Sequence, residues 1–265
     1  MPARLNVVIP VYNGADVLGA TLAGLLAQAP ETLNVIVVVN GTTDASELIA
    51  SRGLHELDRA GARTRLVALE APSRTAALNA GDKDCDPSAP YLYLDQDVLL
   101  SDGAIRAILR ALDAGAGFVG ARARWRSPSP VVRASMEFWN TLPYVRSAPV
   151  TAGMYAVSAP GRGRWAEWPA GLPDDKFARL NFLPGERVRL DDVEYSPCAP
   201  STFAGLVTAR ARYARSNRAL RTLTPEIAAR DSGRGLANFA ALRPDRLFGF
   251  AALGAAELLA QLRSR

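Results

Sequence analysis

Cysteine and histidine are scarce in this chain: Cys85 and Cys198 are the two cysteines and His55 the one histidine among 265 residues. Neither cysteine belongs to a Cys-x-x-Cys pair. A zinc site or a disulfide framework is therefore not expected, and a reducing cytoplasm is. No run of 18 uninterrupted apolar residues occurs, so no membrane-spanning helix is expected. Met1-Pro2-Ala3-Arg4 leads into a strand-like run with no apolar signal region, and no leader is expected. The Gly-x-Gly-x-x-Gly fingerprint and the phosphate-loop lysine motif are both missing, which removes the commonest nucleotide-binding signatures. There is no internal repeat and no low-complexity tract.

What is there is ordinary globular material, 49% hydrophobic and 22% charged. It suffices for one large α/β domain, alone or with an extension. The net charge of +5 is unevenly spread. Residues 1–200 hold 20 Lys+Arg against 22 Asp+Glu, a balance of −2; residues 201–265 hold 11 Arg against 4 Asp+Glu, a balance of +7. A basic tail suits an anionic partner such as a lipid surface, and equally a solvated Arg-rich helix.

The first hundred residues alternate. Leu5–Val11, Asn34–Val39, Thr64–Glu70 and Tyr91–Leu94 are short apolar runs that suit parallel strands covered on both faces. Between them, Ala15–Gln28, Asp44–Ala60 and Arg74–Gly81 have helical patterns, with Asp44 as the expected N-cap of the second. A helix over Ser101–Leu112 and strands over Gly117–Ala121 and Thr151–Ser158 follow. Arg122–Val150 shows no clear period, and a helical pattern resumes over Phe177–Phe182. After Ser201 the text is Arg- and Ala-rich helix broken at Pro225 and Pro244. Strand–helix alternation with short links predicts an open, mostly parallel α/β sheet with flanking helices and a C-terminal helical extension.

In such sheets ligands bind beyond the carboxyl ends of the strands. Four polar clusters sit there: Asn13-Gly14, Asn40-Gly41-Thr42-Thr43-Asp44, Ser73-Arg74 and Asp95-Gln96-Asp97. The last is the sharpest. Two carboxylates two residues apart after an apolar strand can share one hard cation, and Mg²⁺ or Mn²⁺ typically takes one or two carboxylates plus substrate phosphates. Taken alone, the triplet is equally a polar strand end.

Together these segments resemble family 2 glycosyltransferases. Val7-Val8-Ile9-Pro10-Val11-Tyr12-Asn13 resembles the family's opening strand, and Val37–Asp44 its second nucleotide-contacting motif. Arg74–Gly81 looks like the diphosphate-contacting segment, and Asp95-Gln96-Asp97 is similar to the Asp-x-Asp motif. The resemblance covers residues 5–112 well. It implies a GT-A fold, a nucleotide-diphosphate sugar donor, a divalent metal and inversion at the anomeric carbon. Pro10, Tyr12, Asn13, Asn40, Arg74, Asn79 and Asp95 then fall on the donor side, and Asp97 with Asp95 on the metal. The expected division is 1–215 for the catalytic domain, with 1–115 the nucleotide half and 116–215 the acceptor half, and 216–265 for a basic extension.

The family's catalytic base is matched by Leu172-Pro173-Asp174-Asp175-Lys176-Phe177, with Asp175 at the base position and Asp174 before it. Two acids at a helix start are also what the helix dipole favours. Gly153-Met154-Tyr155 resembles the segment lining the donor-sugar pocket, with core packing as the alternative. Trp125, Trp139, Trp165 and Trp168 lie within 120–170, and Trp139 and Trp168 are the named candidates for stacking on sugar. The chain departs from the family where Val39-Asn40 replaces an acidic pair that reads the nucleotide base, and in lacking a later histidine for the metal.

The segment Leu247–Leu262, LFGFAALGAAELLAQL, is too short and too interrupted to span a bilayer, but it can lie on one. The expectation is a cytoplasmic enzyme, peripheral on the inner membrane face, acting on a glycan or lipid-linked acceptor in cell-surface polysaccharide or glycolipid synthesis. A helix docked on the domain is the alternative for this segment. A nucleotidyltransferase acting on sugar phosphates competes as a function, but Pro10-Val11-Tyr12-Asn13-Gly14 is not its glycine-rich loop. A non-catalytic binding module using the basic tail is the other competitor. No nucleic-acid motif accompanies the charge, so nucleic acid is not an expected partner.

Overall fold

The structure is a computed structural model that describes residues 5–147, 149–231 and 243–263. The chain begins with β1 (Leu5–Val11), α1 (Leu18–Leu26), β2 (Leu33–Asn40), α2 (Ser46–Arg59), β3 (Arg63–Leu69), α3 (Arg74–Lys83) and β4 (Tyr91–Leu94). It continues with β5 (Leu99–Leu100), α4 (Ala104–Asp113), β6 (Phe118–Ala123), α5 (Pro130–Thr141), α6 (Pro143–Ser147), β7 (Met154–Val157) and α7 (Ala159–Arg162). Then come α8 (Asp174–Leu180), β8 (Arg187–Ser196), α9 (Phe203–Leu223), α10 (Pro225–Ala228) and α11 (Leu247–Arg263).

The eight strands form one sheet in the order β3-β2-β1-β4-β7-β6-β8-β5. β3, β2, β1 and β4 are parallel. β7 runs against both β4 and β6, β8 runs with β6, and β5 runs against β8. The N-terminal half of the sheet is thus parallel and the second half mixed. β1, β2 and β4 are buried along their whole length. Alternate β1 and β2 side chains enter different cores: Leu5, Val7 and Ile9 join Leu22 and Ile105, whereas Val8 joins Leu78 and Phe177. This is why the strands read as continuous apolar runs. Pro10 costs the sheet nothing: β4 pairs with β1 only over Asn6–Val8, so the missing N–H falls beyond that ladder.

Several boundaries differ from those expected. Asp44 is not the N-cap of α2; that position is Ala45. The Asp44 carboxylate accepts instead from the Ala15 and Ser46 backbone N–H groups at 3.0 and 2.9 Å, tying the β1 loop to the β2 loop. β7 starts at Met154, because Gly153 before it turns with φ 81°. α8 starts at Asp174 and so carries both acids in its first turn. Several elements had no counterpart in the sequence reading, β8 and α5 being the longest of them. β8 (RVRLDDVEYS) has charges throughout and is held by pairing with β6 and β5. α5 starts with Ser129, whose hydroxyl accepts from Val132 N–H, followed by Pro130 at the first helical position.

α9 is one continuous helix across positions 215 and 216. α11 packs on α5 and α9 and shares with them a core of Val132, Met136, Phe138, Leu206, Val207 and Leu253. At Gly249 a Cβ would come within 2.4 Å of the Ala134 carbonyl oxygen, so the two helices meet backbone to backbone. The described part of the C-terminal segment is therefore docked on the body of the protein. Positions 232–242 and 264–265, which carry part of the expected basic tail, lie outside the described residues.

Candidate active site

The loops after β1, β2 and β3 and the end of β4 meet, as the strand order requires. Gln96 locks the first of them: Tyr12 N–H donates to Gln96 Oε1 at 2.8 Å, and Gln96 Nε2 donates to Tyr12 O at 3.1 Å. The Tyr12 ring is left 49% exposed. Asn13, at φ 45°, accepts from Thr43 N–H at 2.9 Å. Asn40 is buried, donating to Val11 O at 2.6 Å and accepting from Ser73 N–H at 2.8 Å. Its side chain therefore ties the ends of β1 and β2 to the loop before α3. Pro10 is likewise buried within its strand.

Arg74, first residue of α3, sits between two acids. Its guanidinium lies 2.7 Å from Asp95 Oδ1, and Nε and a terminal nitrogen donate to the two Asp174 oxygens at 2.7 and 3.1 Å. Tyr155 O–H also donates to Asp174, at 2.9 Å. Residues 74, 95, 155 and 174 are thus one polar cluster bridging the two halves of the sheet. Burial works to raise the Asp174 pKa, but Arg74 and its hydrogen bonds outweigh it and hold the carboxyl below the usual range.

Asp175 goes the other way. Burial and then the neighbouring Asp174 charge push its carboxyl up. It faces a cavity of about 390 Å³ whose wall also includes Trp125, Trp139, Thr151 and Ala152. Asp174 instead lines a second cavity of about 300 Å³ with Ser73, Arg74 and Ser216. Adjacent acids on one short helix therefore serve different spaces.

At the end of β4, burial and the Asp95 charge push the Asp97 carboxyl up. The donor set is oxygen only, and the repulsion between its two acids is of the kind a hard dication relieves, so it fits Mg²⁺ or Mn²⁺. Among the described residues no three His, Cys, Asp or Glu side chains cluster closely enough to hold an ion by themselves. Donor phosphates and water would have to complete the shell. Gly153 lies against this site: a Cβ there would come within 2.8 Å of Asp95 Oδ2.

The other expected residues are used inside the protein. Met154 is fully buried in the main core. Trp168 is 3% exposed. Its Nε1–H donates to Asp82 at 2.8 Å and its backbone is clamped by Asn79, and Trp168 also lines the smaller cavity beside Arg74 and Asp174. Asp82 also takes Arg162 at 2.7 Å and Tyr93 O–H at 2.8 Å, and this network pins the 163–173 loop to α3. Trp139 donates to Tyr144 O–H at 3.1 Å and lines the larger cavity.

The sequence profile of Glycosyl transferase family 2 matches residues 6–157. The chain belongs to that family. It is a glycosyltransferase with the GT-A fold, an open mixed sheet with flanking helices. A mannosyltransferase from Pyrobaculum calidifontis, solved with GDP-Man and Mn2+, superposes with TM-score 0.69 at 17% identity, covering 100% of this chain and 87% of that one. S. aureus TarS 1–349 with UDP gives 0.58 at 14% identity, covering 98% and 91%. Glucosyl-3-phosphoglycerate synthase from Mycobacterium tuberculosis, with Mn2+, UDP-Glc and phosphoglyceric acid, gives 0.57 at 15% identity, covering 82% and 79%. At these identities the likeness is one of fold. No curated protein matches the chain.

Within this glycosyltransferase, sequence reasoning missed three participants. Arg126 donates to the Asp97 backbone oxygen at 2.5 Å. The Cys198 thiol lies beside the Asp97 carboxylate and is pushed up by burial and by that charge. Tyr195 O–H accepts from Ala152 N–H at 2.8 Å and shapes the turn before β7. Arg126 and Cys198 come together only through the bridge that pairs them, which no local signal announces.

Proposed function

We propose that the protein transfers a sugar from a nucleotide-diphosphate donor to an acceptor hydroxyl, with inversion, by single displacement. The bond from the anomeric carbon to the diphosphate oxygen breaks, and its electron pair leaves with the diphosphate. The acceptor oxygen forms the new bond from the opposite face, and its proton passes to Asp175. The observation that carries this reading is the division of labour between neighbouring acids. Asp174 is locked as an anion on Arg74, and Asp175 faces the larger cavity with a raised affinity for a proton.

Arg74 neutralises diphosphate charge as it develops, with Asp174 and Tyr155 fixing its direction. Tyr12 offers its exposed ring to the nucleotide, and Asn13 frames the same cleft. Asn40 and Asn79 support this wall from behind, and Pro10 shapes its strand. Asp97, assisted by Asp95, would hold a divalent cation, which supplies a further counter-charge to the leaving group. Gly153 leaves room beside Asp95 for the sugar, with Met154 packed in the core behind it; Trp139 borders the acceptor, and Trp168 stiffens the loop that leads to Asp174. Residues 1–115 form the nucleotide half and 116–215 the acceptor half; in the 216–265 extension, Asn217, Arg218, Arg221, Asp231, Glu257 and Gln261 complete the acceptor wall.

Among the described residues no helix is long and apolar enough to cross a membrane. On α11, however, Leu247, Phe248, Leu258, Leu259 and Leu262 are all exposed, with Arg243, Arg246 and Arg263 at its ends. That pattern supports a peripheral attachment to an anionic inner leaflet and a lipid-linked acceptor in surface glycan synthesis. The test of the function is a panel of nucleotide sugars scored for thermal stabilisation with and without Mn²⁺, followed by donor turnover. Stabilisation by one donor, increased by Mn²⁺, is expected; no stabilisation by any donor overturns the reading.

A further inference from the structure

We propose that the acceptor is gripped through a phosphate-class anion in the 390 Å³ cavity between α5, α8, α9 and α11. This rests on the transfer reading above, with Asp175 as the base. Among the described residues five cations line the cavity: Lys176 and Arg179 from α8, and Arg210, Arg218 and Arg221 from α9. They face three acids, Asp175, Asp231 and Glu257. Lys176 and Arg179 share the single Asp231, at 2.6 and 3.2 Å, and Arg210 pairs with Glu257. Asp175, whose carboxyl is pushed up, offsets less than a full charge. The cavity is therefore net positive by about two charges even with every acid ionised, which matches a phosphate better than a neutral hydroxylated ligand.

Its shape agrees. Arg210, Ala214, Asn217, Arg218 and Arg221 fall on one stripe of α9, about 16 Å long at 1.5 Å per residue. Arg218 and Arg221 are exposed, and Arg179 is buried. Positive charge thus continues from the rim to the interior, while Trp125, Trp139 and Tyr144 supply aromatic surface for the carbon skeleton. The volume suits a compact phosphate ester and excludes a nucleic-acid strand. These cations belong to a different space from the donor-side charges: Arg74 and Asp174 line the smaller cavity, which α9 touches through Ser216. The phosphate has two sources, a soluble ester or a lipid headgroup.

The test uses the full chain saturated with its nucleotide and Mn²⁺, so that the donor diphosphate site is filled. Glycerol 3-phosphate, glycerol and dihexanoyl phosphatidic acid are titrated separately, read by intrinsic tryptophan fluorescence, to which Trp125 and Trp139 in the cavity wall contribute. Glycerol 3-phosphate should bind saturably and glycerol should not. Arg218→Gln with Arg221→Gln should weaken phosphate binding by about tenfold or more, with nucleotide affinity retained, and the Arg→Lys pair should restore much of it. Tighter binding of the phosphatidic acid assigns a lipid source, and equal binding a soluble one; either supports the proposal. Equal binding of glycerol, or binding of glycerol 3-phosphate to the nucleotide-free protein alone, overturns it. Nucleotide binding without phosphate binding sinks this inference alone, whereas loss of nucleotide binding by the wild type sinks the transfer reading as well.

Discussion

At the level of single residues, charge and proton affinity decide the chemistry. Asp97→Asn removes a charge from the cation site with little change in volume. Turnover should fall by about two orders of magnitude or more with the circular-dichroism spectrum unchanged; near-normal turnover with a Mn²⁺-dependent donor would remove Asp97 from the metal. Asp175→Asn should cut turnover by about 10²–10⁴-fold and leave donor affinity intact. Asp174→Asn should act differently, raising donor KM, because it loosens Arg74. The two variants exchanging these phenotypes would move the base one residue earlier. The Asp175 pKa, raised to about 7, gives two signs to check. Its carboxylate form is the base, so kcat should rise as pH passes upward through about 7. A folded-state pKa raised above the unfolded value means its stability contribution is full below about 4 and is lost as pH rises through about 7. A pH–rate profile flat from 5 to 8 would dismiss this role.

At the level of elements, the site depends on close approaches that sequence periodicity does not carry. Gly153 turns the chain into β7 at φ 81° with a Cβ position 2.8 Å from Asp95 Oδ2. Gly153→Ala should cost about 1–3 kcal/mol of stability from backbone strain and weaken Mn²⁺ dependence by moving Asp95. A fully active, equally stable variant would show the turn to be pliable. Trp168→Phe keeps most of the packing but deprives Asp82 of an indole donor, at a cost of about 1–3 kcal/mol. Its melting temperature should fall while donor KM changes little at permissive temperature. A large KM change without loss of stability would return Trp168 to the ligand. The helix α5 and the strand β8 went unseen because their apolar residues gain meaning only against α9, α11 and β6. By contrast β1, β2 and β4 were legible because burial on both faces leaves a plain apolar run.

For the molecule as a whole, the C-terminal helices join two properties. α11 closes the 390 Å³ cavity through Glu257 and Gln261 and turns an apolar face outward. Deleting it would confuse loss of the cavity with loss of a membrane contact. Phe248→Asp with Leu258→Glu is the cleaner change, since both side chains are about 60% exposed, at 60% and 62%. The wild type should sediment with anionic liposomes at low salt, and only partly detach at high salt, because the apolar contribution is not screened. The double variant should stay in the supernatant with donor hydrolysis preserved. A wild type that fails to sediment leaves α11 as a packing element alone.

The sequence by itself determined the parallel N-terminal half, the order of the four polar strand ends, the Asp95-Gln96-Asp97 motif and the Asp174-Asp175 pair. Each of these is written in contiguous residues, as an apolar run followed by polar chemistry. Only the tertiary structure decided how the pair divides. Arg74, a hundred positions earlier, and Tyr155 from β7 fix one acid as an anion, and the wall built by α5, α9 and α11 surrounds the other. It likewise gave Asn40, Asn79 and Trp168 hydrogen-bond partners within the protein and buried Met154 in the core. The reason is physical: hydrogen-bond partners and desolvation come from whichever chain segment packs nearest, and in this fold those segments are distant in sequence.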